Sequence, residues 1–240
     1  MKNILIPTNL QQDTIAALQT AVRTANGKKC EVVLLLLSEE SDSYSSAYLL
    51  RKMNYQMSHL QVEVLETSRE FLSAYKNCTL KIHTQYGISA PLLRNLLEHL
   101  SIGLTVLIPS YKSASNKLHN YCMQLLLNSK CPILHTGTDG IQQDFTKALY
   151  IETTKSGLQA EDLQRMLQDQ LSFNIVSQAK FFEEQQPEEI GSMISEAIIK
   201  NNIDLLIATR KPEKIKSFKK EKGHLDELGL PVLSLYEEMV

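Results

Sequence analysis

Short aliphatic runs alternate along the chain with stretches in which apolar residues recur every three or four positions, a pattern that predicts strands alternating with helices. Residues 2–8 (KNILIPT) are an apolar run bounded by Pro7 and polar neighbours, suited to a central parallel strand covered on both faces. A helix is expected next, with Asp13 as its N-cap, Ile15, Leu18, Val22 and Ala25 on one face, and Asn26-Gly27 as a left-handed stop. Residues 31–37 then supply a second strand and complete a right-handed crossover unit. After a polar loop over 38–46, the spacing of Leu49, Met53, Met57, Leu60, Val64, Phe71 and Tyr75 predicts one long helix over 48–76 with a core-facing stripe. Residues 79–84 (TLKIHT) alternate and read as an edge strand. Ser89 should cap the following helix, with Pro91 in its first turn, Leu92, Leu93, Leu96, Leu97 and Leu100 inside, and Gly103 at its exit. Residues 104–108 and 131–135 are the fourth and fifth strands, separated by a helix over 118–127, and 136–140 (TGTDG) is the clearest linker.

The pattern then restarts. KALYIETT, from Lys147, aligns with KNILIPTN and leads into a helix carrying Leu158, Leu163, Met166 and Leu167. A single strand over 173–177 precedes a helix opened by Pro187, Glu188 and Glu189, with Ile190, Met193, Ile194, Ala197 and Ile198 facing inward. Strands at 203–208 and 231–235 close the chain, so one strand and its long helix are missing relative to the first unit. Residues 104–136 and 203–236 each read as strand, polar loop, helix and strand, ending on the same Pro-[Ile/Val]-Leu core. The expected fold is α/β: tandem doubly wound parallel-sheet domains over 1–138 and 145–240, the second abbreviated. The final strand of each unit would leave an open sheet edge, so the two are expected to meet about a pseudo-two-fold axis as an internal pseudo-dimer.

Composition narrows the function. A chain of 240 residues with 43% hydrophobic content can fill two such cores. A net charge of -2 excludes the strong positive field that a general nucleic-acid or acidic-membrane binder needs. The longest aliphatic run, 32–37, is far too short to span a bilayer, and Met1-Lys2-Asn3 leads straight into a strand, so a cytoplasmic protein is expected. Cys30, Cys78, Cys122 and Cys131 have no CxxC spacing and read as buried free thiols. The six histidines are scattered singly, which gives a zinc site little support. Hydrolase, Walker and dinucleotide motifs are absent, so neither catalysis nor a cofactor is expected.

In an open parallel sheet the loop after the fourth strand lies beside a topological switch point, where ligands usually bind. Here it runs Pro109, Ser110, Tyr111, Lys112, Ser113, Ala114, Ser115, Asn116, without glycine. A ligand, if any, would meet Thr8, Asn9, Leu36, Ser110, Ser113, Ser115 and Asn116, using hydroxyls and the following helix N-terminus. The competing reading makes the same serines and asparagine ordinary turn and capping residues. Arg210, Lys211, Lys214, Lys216, Lys219, Lys220 and Lys222, with Glu213 and Glu221, fill the equivalent place in the second unit and read as a solvated basic surface rather than an anion site.

NILIPTN with its amphipathic helix, CEVVLLLLSE, the Gly87 turn into PLLRNLLEHLSIGLTVLIPS, and CPILH together resemble the universal stress protein family. ALYIETT, EEIGSMISEAIIKNNIDLLIATR and LPVLSLY extend the resemblance to a tandem pair. It implies a Rossmann-like, adenine-nucleotide α-hydrolase-like sheet of five parallel strands, with final strands paired across a two-fold axis. Many members bind ATP through an aspartate after the first strand and a loop G-x2-G-x9-G-[Ser/Thr] after the fourth. Asn9 and Thr154 stand at the aspartate positions, Pro109 and Lys112 at the first two glycines, and Thr209 and Pro212 at theirs in the second copy. His119 or Cys122 falls near the later glycine. Only glycine lets the backbone curl with positive φ to aim several N–H groups at phosphate, and proline has no N–H to offer. The resemblance therefore implies a non-catalytic stress-response or regulatory protein without conventional ATP binding, possessing a protein partner or a homodimer through another face. The alternative is a small-ligand or nucleotide binder using a loop without glycine.

Overall fold

The computed structural model describes residues 2–38, 57–137, 145–152, 160–168, 171–180, 187–211 and 228–237. Its elements in chain order are β1 (Asn3–Pro7), α1 (Asp13–Ala25), β2 (Cys30–Ser38), α2 (His59–Ser73), β3 (Cys78–Tyr86), α3 (Ala90–His99), β4 (Ile102–Leu107), the short α4 (Pro109–Lys112), α5 (Lys117–Leu127) and β5 (Ile133–His135). They continue as β6 (Lys147–Glu152), α6 (Ala160–Gln168), β7 (Asn174–Lys180), α7 (Pro187–Asn201), β8 (Leu205–Arg210) and β9 (Val232–Tyr236).

Among the described residues all strands join one sheet in the order β3-β2-β1-β4-β5-β9-β8-β6-β7. The first five strands of the chain fill one block and the last four the other, without interleaving. From the outer edge inward, β7-β6-β8-β9 repeats β2-β1-β4-β5, and among the described residues no strand of the second block flanks β7 as β3 flanks β2. Every pairing is parallel except that of β5 with β9, which is antiparallel, with Ile133 opposite Ser234, Leu134 opposite Leu233 and His135 opposite Val232. The expected meeting of the two final strands is therefore a direct backbone pairing, which removes both edges at once.

The continuous aliphatic runs are central because helices cover both sheet faces, leaving a buried strand no polar side. Ile4, Leu5, Ile6 and the run from Val32 to Leu35 are 0% exposed. One apolar cluster continues from the first block into the second, taking in Ala148, Tyr150, Leu163 and Leu233, while Leu149, Ile194 and Leu206 centre a smaller cluster on the other face. β3, at the sheet edge, is only partly buried, as its alternation predicts.

Several local expectations change. Asp13 is not the cap of α1: Gln12 holds that position without a side-chain bond, and Asp13 opens the helix with its carboxylate committed elsewhere. The helix expected over 48–76 begins only at His59 among the described residues, because Ser58 and Gln61 form a reciprocal capping box; residues 39–56 lie outside the description. Its stripe shifts accordingly, leaving Leu60 70% exposed and Tyr75 beyond the helix end, while Val64, Leu65 and Leu72 are buried. Met193 of α7, assigned inward by spacing, is 56% exposed, and Ile194 beside it carries the packing. Gly103 does not end α3. Ser101 does so at φ 50°, and Gly103 belongs to β4, where an added Cβ would sit 2.5 Å from the Cβ of Lys2. Leu92 stays at the rim of α3 while Leu93, Leu96 and Leu100 are buried. Ser89 and Asn116 cap α3 and α5.

Candidate functional site

The loops after β1 and β4 lie side by side, because those strands are neighbours, and they bring together most of the ligand residues expected from sequence. Past β1 the chain turns sharply. Leu10 adopts φ 56° although it is fully buried, a conformation that costs a branched side chain about 1 kcal/mol. Thr8 holds the turn: its Oγ1 accepts from the Leu10 N–H at 2.8 Å and shares a hydrogen bond with Thr14 Oγ1 at 2.8 Å. Thr8, 1% exposed, thus has its hydroxyl committed inside the fold.

Past β4, Pro109–Lys112 coils into α4 rather than an open loop. Proline at its first position fits, since that N–H would have no helical partner. The next N–H, of Ser110, donates to Asp13 Oδ2 at 2.8 Å, and the Ser110 hydroxyl donates to Asp13 Oδ1 at 2.7 Å. Asn9 Oδ1 lies 3.3 Å from the same hydroxyl, and the Asn9 carbonyl accepts from Gln61 Nε2 at 3.1 Å, which ties the turn to the start of α2. Tyr111 is 0% exposed and stacks on His119 with ring centroids 5.0 Å apart. Burial pushes its hydroxyl, beside Cys122, far above the ordinary tyrosine range, so it stays neutral. Asn116 Oδ1 accepts from the N–H groups of Leu118 and His119, the first turn of α5.

The arrangement has a clear electrostatic meaning. An N–H and a hydroxyl at the start of a helical turn are donors suited to an anion. Here the carboxylate of Asp13 already occupies them. Ser110 and Asn9 are brought together as expected, but as members of an internal network, whereas Asn116 is exposed and serves as the cap of α5. Ser113 and Ser115 are exposed, and Ser113 Oγ donates to the Ser110 carbonyl at 3.3 Å. Leu36, 1% exposed inside β2, has no surface for a ligand, and burial removes it from the candidate set. Asp13 is the member of this network that pattern reading missed. An acidic residue opening the helix after β1 was the only sequence signal, and it was equally good as a cap.

In the second block Thr209 lies within β8, while Thr154 and Pro212 fall outside the described residues, as do Lys214, Lys216, Lys219, Lys220 and Lys222. Arg210, grouped by sequence with a solvated basic surface, is instead the connector of the two blocks. Its Nε donates to the carbonyl of Leu127 at 2.9 Å, and its terminal nitrogens donate to the carbonyls of Ser129 at 2.9 Å, Cys131 at 2.5 Å and Ser234. Leu127 ends α5, so the cation also sits at the negative end of that helix. Burial pulls the guanidinium down to about 10, which leaves it charged at neutral pH, and Tyr236 lies under it at 5.9 Å. His135 in the same joint is pushed down to about 3 by burial, with Lys112 and Arg210 adding repulsion. Gly137 completes the joint: a Cβ there would stand 2.3 Å from the carbonyl oxygen of Gly229.

Among the described residues no group of histidine, cysteine and carboxylate side chains could hold a metal, and no helix is long and apolar enough to cross a membrane. The fold defines an α/β protein with a mostly parallel sheet, in which the loops after β1 and β4 lie side by side. A sequence model described as the Universal stress protein family matches residues 1–136, and the chain belongs to that family. Among solved structures it is similar to a universal stress protein from Archaeoglobus fulgidus, at 11% identity and TM-score 0.56, covering 98% of this chain and 96% of that one. A universal stress protein solved in complex with cAMP matches at 16% identity and TM-score 0.40, covering 57% of this chain and 98% of its own. A putative universal stress protein from Pseudomonas aeruginosa matches at 14% identity and TM-score 0.45, covering 100% of this chain and 97% of that one. No curated protein matches.

Proposed function

We propose that this chain is a non-catalytic stress-response regulator of the universal stress protein family that does not bind ATP in the family's loop geometry. The observation that carries the reading is the bidentate hold of Asp13 on the N–H and hydroxyl of Ser110. A triphosphate placed on those donors would have to displace a carboxylate and would meet its negative charge. Pro109 removes one further donor, and the buried Tyr111 keeps the turn from opening as a flexible glycine loop does. The Ser110 hydroxyl and the Asp13 carboxylate then serve to hold the turn, and the chain acts through its surfaces and pairing. In this reading the chain is cytoplasmic, its two units span 1–138 and 145–240, and a protein partner or second copy docks away from the β5–β9 joint.

The alternative is a small-ligand binder that uses the exposed hydroxyls of Ser113 and Ser115. Native mass spectrometry of the purified full chain separates the two. The regulator reading expects the mass of the polypeptide alone, or whole multiples of it; a stoichiometric adduct of nucleotide mass would overturn it in favour of the binder.

A further inference from the structure

Cys30 and Cys78 are the first residues of β2 and β3 and stand directly opposite each other in parallel register. Side chains in register on neighbouring parallel strands project from the same face, and both thiols enter the same apolar cluster at 3% and 6% exposure. Both are free, and each thiol is near enough to the other that a thiolate at Cys78 would raise the Cys30 thiol. Cys122 and Cys131 have no such neighbour, lying in α5 and just before β5.

We propose that Cys30 and Cys78 form a paired oxidation site, closing into an intramolecular disulfide under a two-electron oxidant of the peroxide class and reopening with a dithiol. Neighbouring strands run about 4.8 Å apart, inside the roughly 4.4–6.8 Å span of Cα atoms that a disulfide bridges. The Cβ atoms must close by about 1 Å, and the place permits it. Both cysteines begin their strands, flanked by the Gly27 turn and by residues 74–77, and β3 is an edge strand with no further neighbour among the described residues. A bond formed with that displacement is strained and therefore readily reduced, the character of a reversible bridge rather than a permanent brace.

The chemistry balances. One thiolate sulfur attacks a peroxide oxygen and becomes a sulfenic acid as the O–O bond breaks and the first water leaves. The second thiolate displaces the hydroxyl from that sulfur, forming the S–S bond and releasing the second water. Two thiols together lose two protons and two electrons, and one peroxide is reduced. Burial pushes the Cys30 thiol up to about 11, so little thiolate is present at neutral pH and the reaction is slow there. The bridge would pin the β2–β3 edge at the end where both strands begin, beside the turn that follows α2.

The full chain is treated with hydrogen peroxide at pH 8.5 without denaturant, then unfolded and alkylated. The result expected is a fall from four alkylatable thiols to two, a cross-linked pair of tryptic peptides, 30–51 with 77–81, lighter by two hydrogens, and recovery of four thiols with dithiothreitol. In Cys30→Ala, checked for folding by circular dichroism, Cys78 should remain alkylatable. Four thiols left free, or a bridge that engages Cys122 or Cys131 instead, would overturn the proposal. So would a Cys30–Cys78 link that forms only in urea. If the alanine variant fails to fold, the peptide map of the parent chain decides alone.

Discussion

The paired loops after β1 and β4 and the joint between β5 and β9 are built by the same device used to opposite ends. In each, one charged side chain takes up backbone groups that the local secondary structure leaves without partners. At the loops Asp13 receives the N–H and hydroxyl of Ser110, taking up two donors that open a helical turn. At the joint Arg210 donates to carbonyls of Leu127, Ser129 and Cys131 from one block and Ser234 from the other, holding the halves together. The cation carries more of the fold because its five donors are all engaged, and with both blocks. The anion touches one residue at the rim. Losing Arg210 should therefore damage the whole molecule, and losing Asp13 should loosen one turn.

Arg210→Ala is the largest expected effect, a loss of about 3 kcal/mol in urea unfolding, since several carbonyls lose a charged donor at once. Arg210→Lys should recover only a minor part, because a point-like ammonium cannot reach partners spread across a planar fork. A protease site inserted between 138 and 144 sharpens the test. The nicked parent should still elute as one particle, held by the joint and shared core, and nicked Arg210→Ala should separate; a parent that separates equally well would remove Arg210 from its connecting role. Gly137→Ala should cost about 2 kcal/mol, because backbone faces backbone there and neither can give way cheaply.

The joint should also weaken in acid. The His135 imidazole titrates near 3 when folded and near 6.5 when unfolded, so between those values the unfolded chain binds the extra proton. Stability associated with this group is complete above about pH 6.5 and is lost as pH falls toward 3, by about 2 kcal/mol at pH 5. Comparing urea midpoints of the parent and His135→Gln from pH 7 to 5 isolates it; parallel curves would contradict the assignment. The smallest effect is expected at the paired loops, where Asp13→Ala should cost about 1.5 kcal/mol and raise amide exchange at Ser110 without changing the joint.

How far the sequence reaches follows from what each feature depends on. The strands from Ile4, Val32, Leu104 and Leu205 were legible because a parallel strand covered on both faces must be an unbroken aliphatic run. The pairing of β5 with β9 could be anticipated because two short apolar edges cannot both stay open. The start of α2 was legible too, in the Ser58-x-x-Gln61 capping box, but an apolar spacing that happened to continue upstream concealed it. Leu60, Tyr75 and Met193 fit helical spacing and still face outward, since periodicity locates a face only when the helix bounds are right. Asp13 and Arg210 were not legible as connectors. Their partners lie 97 residues away at Ser110 and 83 away at Leu127, and local chemistry alone favoured a cap and a solvated basic run.

Calorimetric titration of the full chain with magnesium ATP tests the central claim most directly, because it asks whether the donors taken by Asp13 remain open to phosphate. The account predicts no binding tighter than a Kd of about 1 mM, equivalent to about 4 kcal/mol. Micromolar binding that weakens in Asn9→Ala or Ser110→Ala would contradict it.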